Sequence, residues 1–337
     1  MPASLSIVIP VFNEPSWIGR TVADLVTAVQ NAELTDVELL LVDDGSDAAT
    51  QAALAEISVP FSKRVLRQEN SGRLLARKRG ISAAIGDLIL LVDARVSLHE
   101  DALRFVFEEM PRTGPLPIWT AHVESDYGGR PYGRIWSVLE FMAWRDYLAN
   151  PRPITYTIAD YDRFPKGTTC FIAPRSLLLE AMEGFESLYA DLHEVNDDTA
   201  VLRPLAAKQE FNLAPGFSCT YHPRTSARKF FLHALHRGTV FIDGYGRPGS
   251  RFFWVIVAFY PISAAAAMLA IRRPRLALGS LLMTPLAGSV VRLRLRRSTA
   301  DAIAVTMLGP IWLTAYAAGM WRGALLAVAN RLLQKRG

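Results

Sequence analysis

Acidic residues all but vanish from the last third of this chain. From Arg224 to Gly337 there are 17 Lys plus Arg against only Asp243 and Asp301, a balance of about +15, while the first 223 residues hold 20 basic and 30 acidic groups. The formal net charge of +5 is thus the sum of two unlike parts. A basic, apolar tail suits a membrane carrying anionic lipid, where each basic group near the surface contributes about 1 kcal/mol. Long uncharged runs between its arginine clusters argue against nucleic acid as the partner. Cysteine is scarce too. Cys170 and Cys219 form no CxxC pair, so there is neither a zinc motif nor a disulfide framework, and each reads as a small buried apolar residue. The N-terminal MPASLSIVIPVFNEP lacks a basic leader and a long apolar core, which predicts no signal peptide and a first domain that stays in the cytoplasm. No Gly-rich phosphate loop follows the first apolar run; Asn13-Glu14-Pro15 stands there, which argues against a nucleotidyltransferase.

The first hundred residues alternate strand-like and helix-like segments. Leu5 to Val11, Val37 to Val42 and Leu88 to Val92 are continuous apolar runs rich in β-branched residues, as expected of strands buried on both faces of a parallel sheet. Trp17 to Val29, Ala48 to Ile57, Gly72 to Ile85 and about Glu100 to Glu109 read as helices, and Arg64 to Arg67 as a short strand. Such alternation predicts right-handed βαβ units in a doubly wound α/β sheet, whose ligands sit outside the carboxyl ends of the strands. Three strands end there in Asn13-Glu14, in Asp43-Asp44 and in Asp93. Turn residues explain any one of these groups, but their convergence on one edge predicts a site. Ile118 to Val123 and Thr169 to Ile172 read as further strands, and Ile135 to Tyr147 as an aromatic-rich helix suited to a core or a membrane interface.

Beyond residue 251 the chain turns hydrophobic. Phe252 to Ile271 and Ala302 to Trp321 are uncharged and long enough to span a bilayer, whereas Leu276 to Val291 is marginal and holds Pro285. Arg272, Arg273 and Arg275, then Arg292, Arg294, Arg296 and Arg297, then Arg331, Lys335 and Arg336 separate and close these segments. The positive-inside rule wants every cluster in the cytoplasm, and no arrangement of two or three spans satisfies it. The expected organisation is a cytoplasmic domain over 1–223, an amphipathic juxtamembrane segment over 224–251, and two to three membrane helices over 252–337.

Ser6-Ile-Val-Ile-Pro-Val-Phe-Asn-Glu14, Leu41-Val-Asp-Asp-Gly-Ser-Asp47, the stretch Asn70 to Gly80, and Gly86-Asp87 with Leu90-Leu-Val-Asp93 occur in the order and spacing of the family 2 glycosyltransferases, which this chain resembles over about residues 5–100. The resemblance implies a GT-A fold, Rossmann-like with a mostly parallel sheet and flanking helices, here followed by a C-terminal α-helical membrane segment. It also implies a nucleoside diphosphate sugar donor, a UDP-sugar first, and inversion at the anomeric carbon. The acceptor expected at an inner (plasma) membrane is a lipid-linked glycan or polyprenyl phosphate in cell-envelope glycan synthesis. The alternative is a non-catalytic membrane protein that binds nucleotide sugar.

Asn13, Glu14, Asp43 and Asp44 can supply acceptors for the base and ribose; the resemblance places Pro10, Phe12 and Glu14 beside the nucleoside and one of Asp43 and Asp44 at the base. Arg73 and Arg77, one helical turn apart, would reach the base or the phosphates, because guanidinium forks suit phosphate oxygens; a solvated basic helix face is the plain alternative. Asp93 occupies the first position of the family's Asp-x-Asp motif, which holds Mg²⁺ or Mn²⁺, but the second acid is replaced by Arg95. Either Arg95 supplies part of the metal's charge, or Asp93 holds the ion together with His222. Glu194-Val-Asn-Asp197-Asp198-Thr199, followed by Leu202-Arg203, resembles the segment that carries the general base, with Asp198 as base, Asp197 as its companion and Glu194 as the fallback. A helix N-cap at Asn196 or Asp197 would account for the same residues structurally. Lys229, His233 and Arg237 recur at steps of four on one helical face, near the phosphates of donor or lipid acceptor or simply facing lipid.

Overall fold

The computed structural model describes residues 3–127, 130–223, 226–250, 252–280 and 283–334, and leaves the side chains of residues 197, 277, 280 and 334 undescribed. Arg224, Arg251, Lys335 and Arg336 of the basic tail, and part of the apolar stretch 276–291, lie outside the described residues. The chain forms two compact units. The first comprises 1–125, 146–186 and 197–222, and the second 126–145, 187–196 and 223–337.

The first unit is built on a nine-stranded sheet. In chain order its elements are β1 (Leu5–Val11), α1 (Ile18–Asn31), β2 (Val37–Asp44), α2 (Ala48–Glu56), β3 (Ser62–Gln68), α3 (Arg73–Ala83), β4 (Leu88–Val92), β5 (Val96–Leu98), α4 (Ala102–Thr113) and β6 (Ile118–Ser125). A helix α5 (Pro131–Ala143) belongs to the second unit and is followed by a short α6 (Arg145–Leu148). Then come β7 (Ile154–Tyr156), β8 (Cys170–Pro174), α7 (Arg175–Glu183), α8 (Asp197–Ala206) and β9 (Phe211–Tyr221). The order across the sheet is β3-β2-β1-β4-β8-β6-β9-β5, with β7 on β9. The β3-β2-β1-β4 half is parallel, and β8 joins it antiparallel to β4.

The apolar runs become strands because the sheet buries them on both faces. β1 is buried at every position except Pro10, and β2 and β4 are buried throughout. Gly80 on α3 permits close helix-to-strand packing, since a Cβ there would sit 2.3 Å from Cγ1 of Val8. A buried carboxylate ties the parallel half together. Glu38 accepts from Ser6 Oγ on β1 (2.6 Å), Arg64 Nη2 on β3 (2.7 Å) and the Ile85 N–H (2.7 Å). Burial opposes its ionisation, but these donors hold its carboxyl below the usual range.

The second unit holds α5 and the helices α9 (Ala227–Tyr245), α10 (Phe253–Arg272), α11 (Pro274–Ser280), α12 (Thr284–Leu293) and α13 (Thr299–Gln334). Among the described residues two helices are long and apolar enough to cross a membrane, Phe253–Arg272 and Thr299–Leu333. The marginal middle segment divides into α11 and α12. The third segment continues far past Trp321: α13 runs 36 residues, about 54 Å at 1.5 Å per residue, against a hydrocarbon core of about 30 Å. Helix α9 packs along α13. At this crossing a Cβ on Gly238 would lie 2.1 Å from the Tyr316 carbonyl oxygen, so the two backbones meet where no side chain fits. Lys229, His233 and Arg237 are exposed on α9, with His233 stacked obliquely 4.7 Å from the Trp136 ring.

Candidate functional site

Strand register collects the acidic groups at one edge of the first unit. Val11, the last residue of β1, pairs with Asp43 of β2, and Asp43 with Arg67 of β3, while β4 delivers Asp93 one residue past its end. Within this edge the carboxylates divide into two kinds.

Asp44 is committed to the chain. Its oxygens accept from Gln68 Nε2 (2.7 Å), the Ser71 N–H (2.9 Å) and the Gly72 N–H (3.0 Å), so it binds the loop that starts α3. Asn13 is committed likewise. It adopts φ 54°, a conformation Asn tolerates, and its side-chain oxygen accepts from the Asp47 N–H at 2.8 Å. Asp47 in turn caps α2 through the Thr50 N–H (2.8 Å). Asp43, buried, accepts from the Ser46 N–H at 2.9 Å and lies 3.8 Å from Arg67 Nε. Phe12, which follows the last residue of β1, stands exposed.

Two ion pairs close the remaining acids. Arg77, only 1% exposed, points inward from α3 and donates to Asp93 at 2.6 Å. It therefore braces the strand-end acid, whereas Arg73 one turn earlier is exposed. Arg95, in the place of the second acid of the Asp-x-Asp motif, donates to Glu14 at 3.1 Å and to the His222 carbonyl oxygen at 2.6 Å. Its guanidinium lies 5.0 Å over the Trp17 ring. The other side of this cluster is aromatic: Trp17 and the His222 ring stack at 4.4 Å, and His222 Nε2 is 3.1 Å from Ser97 Oγ.

As placed, these side chains form no ready-made ligand set for a divalent ion. The carboxylates of Glu14 and Asp93 are each matched by a guanidinium, so the local charge balances without a metal. The His222 ring is engaged with Trp17 and Ser97. Among the described residues no group of three or more His, Cys, Asp or Glu forms a ligand set.

The residue chosen as base is positioned from the same edge. The Asp93 N–H donates to the Thr169 carbonyl oxygen at 2.9 Å. The preceding residue, Thr168, donates its N–H to Asp198 Oδ1 at 3.0 Å, and its hydroxyl donates to the same oxygen. Asp198 on α8 is thus bound one residue away from the backbone link to Asp93. The side chain of Asp197 lies outside the described residues. Glu194, the fallback, belongs to the second unit and is held by Arg322 in a two-point ion pair (2.7 and 2.9 Å), which keeps its carboxyl below the usual range. A carboxylate so engaged is a poor proton acceptor. Sequence reasoning missed Trp17 and Thr168. Trp17 stands three residues after Glu14 in the first loop, where an aromatic was available as a signal; Thr168 carried none.

Residues 6–179 match the family model described as Glycosyl transferase family 2. Among curated proteins, the chain is similar to Glycosyltransferase GlyG of Streptococcus pneumoniae serotype 4, with 30% identity over 112 residues, 33% of this chain and 36% of that protein. It is also similar to the undecaprenyl-phosphate 4-deoxy-4-formamido-L-arabinose transferase of Sodalis glossinidius, with 38% identity over 93 residues, 27% of this chain and 28% of that one. The similarity thus spans about a third of the length of these relatives. Among solved structures, the mannosyltransferase PcManGT from Pyrobaculum calidifontis, in complex with GDP-Man and Mn²⁺, superposes with a TM-score of 0.56 at 16% identity, covering 95% of this chain and 88% of that one. That likeness establishes the GT-A fold.

Proposed function

The chain belongs to glycosyl transferase family 2, and we propose that it is a glycosyltransferase that transfers a sugar, with inversion, from a nucleoside diphosphate sugar to a lipid-linked acceptor at a membrane. The single observation that carries the catalytic part is the hydrogen-bonded link from Asp93 through Thr169 and Thr168 to Asp198. It joins the donor edge of the sheet to a carboxylate held in a fixed orientation. The acceptor hydroxyl gives its proton to Asp198 as its oxygen attacks the anomeric carbon. The bond from that carbon to the diphosphate oxygen breaks on the opposite face, and the diphosphate leaves with the electron pair.

Donor binding is assigned to Pro10, Phe12 and Glu14 on the nucleoside side and to Asp43 at the base. Asp44 and Asn13 shape the loops that present them. A uridine nucleotide is the first donor to test; the GDP-Man in the PcManGT complex makes guanosine the second. The positive charge needed by the departing diphosphate is assigned to Arg73, exposed on α3, and to Arg95, which stands in the place of the family's second metal-binding acid and would exchange Glu14 for the diphosphate. The membrane assignment is supported by the two long apolar helices and by the polyprenyl-phosphate substrate in the name of the Sodalis relative. The cytoplasmic side is assigned to the first unit.

The test is incubation of membranes carrying the full chain with a panel of labelled nucleotide sugars, followed by identification of the labelled lipid. Transfer of one sugar to lipid, lost in Asp198→Asn, is the expected result. Donor binding without transfer or hydrolysis under any condition would favour the non-catalytic reading.

A further inference from the structure

The second unit contains a cavity of about 420 Å³ that none of the chemistry above uses. Its walls come from α5, through Arg134 and Ser137, and from the turn between α12 and α13, through Arg296, Arg297, Ser298 and Asp301. Asp301 organises it. Arg134 Nη1 lies 3.0 Å from Asp301 Oδ1, and Arg297 Nε lies 3.3 Å from Oδ2. Arg297 also donates to Ser137 Oγ at 2.6 Å, and its guanidinium lies 5.2 Å from the Phe141 ring. Ser298 and Asp301 cap the start of α13 reciprocally, Ser298 Oγ accepting from the Asp301 N–H at 3.1 Å and Asp301 Oδ2 from the Ser298 N–H at 3.3 Å.

One carboxylate therefore serves two guanidiniums. The third, Arg296, is exposed and makes no ion pair among the described residues. The lining carries a net charge of +2. Arg296 also sits at φ 54°, a left-handed conformation in which the Cβ of an ordinary L-residue is crowded and which is retained where the surroundings impose it. A cavity with fixed arginines, serine hydroxyls and surplus positive charge is built for an anion of phosphate type.

The neighbours say which phosphate. The turn joins two helices whose outer faces are apolar and exposed: Leu286, Val290 and Leu293 on α12, and Ile303 and Met307 on α13. Arginines in a turn between helices with exposed aliphatic side chains, at the start of a helix long enough to cross a bilayer, match the level at which headgroup phosphates meet acyl chains. A soluble phosphate compound would gain nothing from those apolar side chains. We propose that this cavity binds the headgroup phosphate of an anionic membrane lipid, held by Arg134, Arg296 and Arg297, with the acyl chains lying against α12 and α13. The proposal rests on the membrane reading above but not on the sugar-transfer reading.

The experiment uses the full chain, extracted and stripped of lipid in a neutral detergent. Binding of phosphatidylglycerol, phosphatidylcholine and inorganic phosphate is followed by native mass spectrometry and by the shift in thermal midpoint. Wild type should bind phosphatidylglycerol at least tenfold more tightly than phosphatidylcholine. Arg297→Gln and Arg296→Gly should each lose most of that preference. Because Arg296 is exposed and conformationally strained, Arg296→Gly should fold with an equal or higher midpoint, which separates lost binding from lost structure. Unchanged phosphatidylglycerol binding in both variants, or equal binding of the two lipids by wild type, would overturn the proposal. Inorganic phosphate bound as tightly as phosphatidylglycerol would overturn the lipid assignment. A chain that fractionates as soluble without detergent would instead remove the membrane reading itself.

Discussion

Replacing Asp198 with Asn tests the catalytic assignment with little structural disturbance. Asp198 Oδ1 accepts both the N–H and the hydroxyl of Thr168, and an Asn side-chain oxygen accepts the same two bonds. What the variant loses is the capacity to take a proton at neutral pH. A positioned carboxylate base contributes 10²–10⁴-fold, about 2.7–5.4 kcal/mol of barrier at 1.36 kcal/mol per tenfold. Turnover at saturating donor should therefore fall by about two orders of magnitude or more, with the donor dissociation constant within about twofold of wild type. Thr168→Val keeps the backbone donor and removes the hydroxyl. That bond to a charged acceptor is worth about 1.5–3 kcal/mol at most, so turnover should fall by about tenfold to a hundredfold. In the double variant the two losses should not add, because Thr168 acts through Asp198. The assay is single-turnover transfer from labelled donor, with donor affinity measured separately by calorimetry. Near wild-type turnover in Asp198→Asn would refute the assignment: the base would lie elsewhere, or the acceptor would be a phosphate that needs none.

Three further outcomes separate roles that the sequence motif leaves merged. Asp43→Ala should weaken nucleoside diphosphate binding, whereas Asp44→Ala should lower the thermal midpoint because three donors lose their acceptor, a cost of about 1–3 kcal/mol each at most; the reverse pattern in calorimetry and thermal melts would exchange the roles. Wild-type transfer should survive EDTA, and Arg95→Asp, which restores an Asp-x-Asp pair, should gain measurable Mn²⁺ binding by calorimetry or spin resonance; transfer abolished by EDTA and restored by Mn²⁺ would show that an ion binds despite Arg95. Glu38 has a depressed folded-state carboxyl, so its stabilisation is complete above the ordinary value of 4.5 and is lost as pH falls through the lowered folded value; Glu38→Gln should cost about 1–3 kcal/mol at neutral pH and flatten the acid limb of midpoint against pH, and an unaltered acid limb would place the acid sensitivity elsewhere.

Strand positions were legible where one physical cause dominates. β1 and β4 coincide with the runs Leu5 to Val11 and Leu88 to Val92, because a strand buried on both faces must be apolar throughout. β3 is longer than Arg64 to Arg67 because it is only partly buried and its polar residues hide its ends. β5, β7 and β9 were not anticipated, since short or bent strands in a mixed sheet depend on partners distant in the chain. The aromatic stretch 135–147 was legible as helix but not as two: α5 stops at Ala143 and α6 follows.

The site was legible as residue types and not as roles, and the reason is geometric. A motif such as Asn13-Glu14 or Asp43-Asp44 names groups that can accept hydrogen bonds, but it does not say which donors reach them first. Asn13 and Asp44 are claimed by loop N–H groups, Glu14 by Arg95 and Asp93 by Arg77, and each claim comes from a residue at least sixteen positions away. The one departure visible in the sequence, Arg95 in place of an acid, acquires its meaning from two such claims. A guanidinium beside Glu14 and another beside Asp93 balance these two carboxylates, as a divalent ion between a carboxylate pair would. A charge change at one position is therefore compensated within the same loop cluster. On this argument Arg95→Ala should be worse for donor binding than Arg95→Asp in the presence of Mn²⁺, because Asp can recruit a replacement cation and Ala cannot. Calorimetric donor affinities of the two variants with and without Mn²⁺ decide it, and an advantage for Asp that persists in EDTA would sink the compensation argument.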